Sequence, residues 1–250
     1  MFLFWTLATL LVSVLPVSAD NVAVGVKAGD WMKYGEISVT WWSSSIGPAP
    51  QHLVDLNNTE WIKIEVQNVL ETKATAMKTK RFKNGTEKTE TPTWNITSLW
   101  WNPENVFIIE ANLSKGNSTH IYTARTILKV TNTVSRKYAG ATREVNHINT
   151  TVSGVSWGLV VDAYWDKTTG ILCELHATEG AVLPGRYSNA TLNMTILDTN
   201  LWQPSPIWME PWFWVITLVI VAAVAVPAIW VWRRRKMPPH KEEAVSAPSL

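Results

Sequence analysis

Residues 60–70 read Glu-Trp-Ile-Lys-Ile-Glu-Val-Gln-Asn-Val-Leu, and Ile62, Ile64 and Val66 alternate with Lys63, Glu65 and Gln67. A period of two sends successive side chains to opposite faces of a strand, so one face is buried and the other is wet. Residues 191–196 repeat the pattern, with Leu192, Met194 and Ile196 between Thr191, Asn193 and Thr195. From Asp20 to about Gln203 no long stretch carries apolar residues at helical spacing. This region is read as mainly β.

Turn residues punctuate it at intervals that suit antiparallel strands. Lys83-Asn84-Gly85 is a hairpin signal, because Asn-Gly accepts the positive φ of a type I′ turn. Asp166-Lys167-Thr168-Thr169-Gly170 is a second, with Gly170 available for a left-handed position. Tyr138-Ala139-Gly140 and residues 97–103 read as connections. About eight to ten strands are predicted, over residues 33–42, 60–70, 72–82, 86–95, 106–111, 121–130, 141–152, 157–165, 171–179 and 187–197. Short turns between them predict an antiparallel meander that curls into a barrel, half-barrel or clam-like sheet to protect its edges. A two-sheet sandwich is the alternative.

The flanks differ in kind. Residues 1–15 are almost wholly apolar and lead to Val17, Ser18 and Ala19, which suit a signal-peptidase site with Asp20 starting the mature chain. No Lys or Arg precedes that run, and an uncleaved anchor is the alternative. Residues 212–232 hold 21 residues without a charge. At about 1.5 Å per residue they span a hydrocarbon core of about 30 Å. Trp212 and Trp214 stand at one end and Trp230 and Trp232 at the other, as in an aromatic belt. Arg233, Arg234, Arg235 and Lys236 follow, which places the C-terminus in the cytoplasm. The domain reading is therefore a signal peptide at 1–19, an extracytoplasmic β domain at 20–203, a juxtamembrane linker at 204–211, the membrane helix at 212–232 and a basic tail at 233–250.

The net charge is +2, and the tail supplies +3 of it with five Lys/Arg against two Glu. The exterior domain is near neutral and lacks the basic field of a nucleic-acid binder. Cys173 is the single cysteine, so no intrachain disulfide forms and the core alone must hold the domain. Eight Asn-x-Ser/Thr sequons occur, at Asn57, Asn84, Asn95, Asn112, Asn117, Asn149, Asn189 and Asn193, all between the two apolar segments. Their confinement is expected of a glycosylated exterior.

No Gly-rich phosphate loop, HExxH or Gly-x-Ser-x-Gly is present, the histidines lack ligand spacing, and no cofactor or metal is expected. If Trp165 pairs with Ile171, Asp162 lies opposite Glu174 with Cβ atoms about 4.5–5.5 Å apart. Such a carboxylate pair is the geometry of acid/base chemistry. Cys173 and His176, three apart on a strand, point to opposite faces, with Cys173 on the apolar one. The abundant residue is tryptophan: 16 in all, 11 of them in the exterior region. Trp41-Trp42 and Trp100-Trp101 are adjacent pairs, and on strands both members cannot face inward. One of each should be exposed or line a cavity, where indoles stack on sugars or grip lipid. Trp202 and Trp208 read as interfacial anchors.

The opening Val26-Lys27-Ala28-Gly29-Asp30-Trp31-Met32-Lys33-Tyr34 resembles a V-x-x-G-D-W-x-x-Y start found in uncharacterised archaeal surface proteins. Tyr138-Ala139-Gly140-Ala141 and the stretch from Tyr164 to Leu172 are similar to that group as well. An archaeal surface would also join sequons with an absence of disulfides. The resemblance implies an extracytoplasmic β domain and transfers no catalytic residue. The tryptophan content and the loop at 41–55 depart from it.

The function expected from the sequence is a membrane-anchored binding or structural module of the cell envelope. Its partners would be membrane lipid and a glycan, lipid or neighbouring envelope protein held at Trp41, Trp42, Trp100 and Trp101. An extracytoplasmic hydrolase using Asp162 and Glu174 is the alternative, and an assembly subunit acting through the helix is a third reading.

Overall fold

The alternation at 60–70 becomes burial in the fold. Ile62, Ile64 and Val66 are buried while Glu60 and Gln67 are exposed, and Leu192, Met194 and Ile196 lie on the same buried face. A computed structural model describes residues 22–44, 48–204 and 211–236. The signal-peptide expectation, the tail beyond residue 236, most of the linker, and Trp208 lie outside the described residues.

The strands are β1 (Trp31–Ser43), β2 (Thr59–Leu70), β3 (Lys73–Phe82), β4 (Glu87–Glu90), β5 (Thr93–Asn95), β6 (Leu99–Trp100), β7 (Ser118–Tyr122), β8 (Ile127–Lys129), β9 (Asn132–Tyr138), β10 (Ala141–Ser153), β11 (Trp157–Asp166), β12 (Leu172–Leu183) and β13 (Arg186–Thr199). A helix of about two turns, α1 (Gln51–Asn57), sits between β1 and β2. Ten strands form one antiparallel sheet in the order β4-β3-β2-β1-β13-β12-β11-β10-β9, with β5 also on β3. Two meanders, β1 to β4 and β9 to β13, are joined where the first strand meets the last. The sheet is open rather than a closed barrel, since β4 and β9 end the path unpaired with each other. Both edges carry charge (Glu87, Lys88 and Glu90 on β4, Arg136 and Lys137 on β9), which discourages pairing with another chain.

Several expected boundaries shift for physical reasons. Residues 86–95 do not form one strand, because Pro92 has no N–H to give the ladder and splits it into β4 and β5. Residues 121–130 break at a turn in which Thr123 Oγ1 accepts from Thr126 N at 3.0 Å. Residues 106–111 form no strand. Val106, Phe107, Ile108 and Ile109 are all fully buried, and the run touches the sheet through one bridge, Ile108 with Ile171. It instead plugs the inner face of the sheet. Leu172 N donates to Phe107 O at 2.9 Å, the Trp165 indole donates to Val106 O at 3.0 Å, and Phe107 packs 5.0 Å from Tyr34. Each such side chain contributes roughly 1.5–3 kcal/mol of burial. The rest of the insertion between β5 and β9 includes a small second sheet, β6-β7-β8.

The 83–85 hairpin closes differently from a type I′ turn. Gly85 is at φ +85°, whereas Asn84 is not in the left-handed region and its Oδ1 accepts from Thr86 N. This is a three-residue loop with a glycine bulge.

The chain divides into Met1–Gln203 and Pro204–Leu250. In the second unit α2 (Pro211–Lys236) is long and apolar enough over Trp212–Trp230 to cross a membrane. Its apolar side chains, among them Leu218, Val219 and Val224, are exposed, as expected of a helix that has lipid for solvent.

Candidate functional site

One cross-strand row on the inner face builds a cleft. Trp41 of β1 pairs with Ala190 of β13, Ala190 with Glu179 of β12, and Glu179 with Leu159 of β11. In the next row Ser188 pairs with Ala181, and Ala181 with Trp157. Small residues in the middle and indoles at both ends leave a depression. The inserted segment supplies Trp100, Trp101 and Tyr122 above it, and α1 supplies His52 and Leu53 at the side. The space has two lobes of about 550 Å³ and about 420 Å³ that share His52, Leu53, Trp101, Glu179 and Ala190.

The indoles are held in place. Trp101 N donates to Tyr122 O at 2.8 Å, and its indole N–H donates to Glu179 Oε1 at 2.5 Å. Trp100 is 66% exposed and tilts against Tyr122 with ring centroids 6.2 Å apart. Behind Trp101, Glu104 is anchored by Lys78, which is 2% exposed and lies 3.2 Å away, and by Lys80. Lys78 also reaches Glu90 Oε1 at 2.9 Å. Burial pushes the Glu104 carboxyl up, but the hydrogen bonds and charges of Lys80 and Lys78 outweigh it and hold it below the usual carboxylate range. A part-buried ion cluster centred on Lys78 thus fixes the rim of the cleft.

Of the four tryptophans expected to bind, the fold brings Trp41, Trp100 and Trp101 to one cleft and sends Trp42 to the opposite face. Trp157 and Tyr122 complete the aromatic lining. They were not singled out from the sequence, although Trp157 lies in register with Leu159 on the inner face. Trp202 is not an interfacial side chain. It is buried, its indole donates to Tyr138 O at 3.3 Å, and Arg143 lies 4.9 Å over its ring.

The expected facing of Asp162 and Glu174 is corrected. The loop closes through Asp166 N to Ile171 O at 2.8 Å, so Trp165 pairs with Leu172, and a bulge follows between Tyr164 and Trp165. The combined shift sets Asp162 against His176 and Glu174 against Tyr164. Each carboxylate has its own partners. Asp162 Oδ1 meets His147 Nε2 at 2.6 Å, and Glu174 Oε2 accepts from Arg136 at 3.0 Å and from the Tyr138 hydroxyl at 2.6 Å. Burial, then the bond to Glu174, pushes the Tyr138 hydroxyl well up. His147 stacks flat on Tyr164 at 4.3 Å and meets Asn132 at 2.9 Å. This network lies on the face away from the core. Cys173 is buried on the apolar face, where burial pushes its thiol up, while His176 is exposed on the other. Among the described residues no cluster of His, Cys, Asp or Glu could hold a metal ion.

The sequon asparagines fall on the surface. Asn57, Asn84, Asn112, Asn117, Asn149 and Asn189 are exposed, and Asn95 and Asn193 are half-buried. Asn149 and Asn193 occupy one cross-strand row, Asn149-Asp162-His176-Asn193-Ser38, on the face away from the core.

No protein-family model, no curated protein and no solved structure matches the chain.

Proposed function

We propose that the β unit is an extracytoplasmic, membrane-anchored binding module whose aromatic cleft holds a saccharide of the cell envelope. The observation that carries this reading is the convergence of Trp41, Trp100, Trp101, Trp157 and Tyr122 on one cleft of about 550 Å³ around a single carboxylate, Glu179. Indole faces stack on the C–H faces of sugar rings, and a carboxylate accepts from sugar hydroxyls. A cleft with a few placed polar groups among apolar walls is the usual form of a small-molecule site. The Glu179 carboxylate already accepts from the Trp101 indole and keeps further acceptor capacity, which sugar hydroxyls can use and a hydrocarbon chain cannot, so a saccharide fits better than a lipid tail.

The anchor is α2, and the basic run at 233–236 favours a cytoplasmic C-terminus with the β unit outside. The sequons and the archaeal-type opening support the same placement.

The test is purification of the full-length protein from its own membranes, with mass spectrometry of what it retains, followed by tryptophan-fluorescence titration with oligosaccharides released from the same cell surface. A bound saccharide whose affinity falls at least tenfold in Trp101→Ala supports the reading. A retained lipid in the cleft, or saccharide binding indifferent to Trp101→Ala and Trp41→Ala, overturns it.

A further inference from the structure

Trp42 points away from the cleft and is 56% exposed, and its surroundings are unusual for a sheet surface. It pairs with Asn189, Asn189 with Gly180, and Gly180 with Gly158. The row therefore reads indole, sequon asparagine, then two strands with no side chain at all. The fold does not require those glycines. Neither has a positive φ, and a Cβ would meet nothing nearer than 3.6 Å at Gly180 or 4.0 Å at Gly158. Glycine inside a strand weakens it and often marks a bulge, a bend or a place where another group comes close to the backbone. Neither strand is bulged at these glycines, and the inner face of both backbones borders the aromatic cleft while the outer face lies bare. The neighbouring rows on this face expose Val160 (41%), Val182 (48%) and Tyr187 (55%) beside Thr178 and Thr191, so the bare strip has partly apolar walls.

We infer that this strip is the seat of an N-linked glycan on Asn189. The asparagine is exposed, and Thr191, two residues on, presents the sequon hydroxyl on the same face. A sugar attached at the Asn189 amide has the Trp42 indole directly across on one side and the cleared Gly180–Gly158 floor on the other. Its first ring stacks on the indole, and the next lies over the glycines between Val160 and Val182. The glycan covers apolar surface that water otherwise touches, which explains why four large apolar side chains are left exposed around one asparagine. This inference rests on the β unit lying outside the cell, and it stands whether or not the cleft has a ligand.

The test uses the full-length protein made in its own cells. Glycopeptide mass spectrometry reads occupancy at Asn189, and thermal melts compare Trp42→Ser, Asn189→Gln and the double variant. Both positions are exposed, so folding survives the changes. The expected result is an occupied Asn189, and a Tm loss of about 2–4 °C for Trp42→Ser that disappears in the Asn189→Gln background. Trp42→Phe should retain most of the coupling. An unmodified Asn189, or the same Tm loss in both backgrounds, overturns the inference. So does a dimer that Trp42→Ser dissociates, which would give the strip to a second copy of the chain.

Discussion

The indole N–H of Trp101 donates to Glu179 Oε1 at 2.5 Å, and this bond ties the inserted segment to the floor of the aromatic cleft. It sets the orientation of one wall and leaves the carboxylate at the centre of the site. Glu179→Ala should weaken saccharide binding about ten- to a hundredfold, the worth of a hydrogen bond to a charged group. Stability should change little, because Glu179 is exposed. Fluorescence titration beside a urea melt separates the two effects.

Lys78 is buried between Glu90 and Glu104, with its ammonium 5.7 Å from the Phe107 ring. Lys78→Met keeps the volume but removes one of the two cations that hold Glu104, leaving Lys80. The change should cost about 2–4 kcal/mol in a urea unfolding experiment, somewhat below a fully buried pair because Glu90 is half in water. Binding should fall as well, since Glu104 fixes the segment that carries Trp101.

The same cluster gives a pH dependence. The Lys78 hydrogen bond, against burial, lowers the Glu90 carboxyl, and Lys80 with Lys78 lowers that of Glu104. A depressed folded-state pKa contributes stability above the unfolded value, and this is lost as pH falls through the folded one. Tm should hold from neutral pH to about pH 4.5 and drop below it. In Glu104→Gln the drop should be shallower from a lower starting Tm.

Gly170 is at φ +71°, and a Cβ there would lie 2.2 Å from Ile109 O. Gly170→Ala should therefore destabilise the protein by more than about 2 kcal/mol, since strain and a backbone clash add. Hydrogen exchange should show the loss first at Ile109 and Leu172, whose amides bond across this loop.

If α2 crosses the membrane with its cationic end inside, as proposed, the chain should resist carbonate extraction. A tag at the C-terminus should be protected from protease in intact cells, while sites in the β unit should be cut. A tag cleaved from outside would reverse the orientation.

Period-two stretches were legible because their outcome depends on local alternation alone. Residues 60–70 and 191–196 lie where their patterns put them. Val106–Ile109 were misread because a run buried on every side looks the same whether it pairs in a sheet or plugs one. The Asp162 register failed through one turn and one bulge: the turn closes one residue later than expected and the bulge adds a second shift, which together move each carboxylate past its expected partner, and no alternation reports either. Parity sorts Trp41 inward and Trp42 outward, but it fails for Trp100 and Trp101, which both line the cleft because the strand ends at Trp100. Their convergence with Trp157 depends on strand order, and that Trp31–Ser43 neighbours Arg186–Thr199 is written in no local signal. Helix α1 is seven residues long, too short for a periodic signature to rise above the loop around it.

The joining of first strand to last has a consequence for how the protein is made. Trp31 N donates to Asn200 Oδ1, and the Asn200 amide returns to Gly29 O, a closure spanning about 170 residues. During synthesis the β1–β4 meander must wait with its inner edge bare until almost the whole domain has emerged. Its contact order is high at the one seam that completes the sheet, so assembly is slow there and vulnerable to pairing with other chains. The apolar helix begins eleven residues after that seam. The seam of the sheet is therefore closed only as the apolar helix is being made, and a chain stalled before Thr199 has neither.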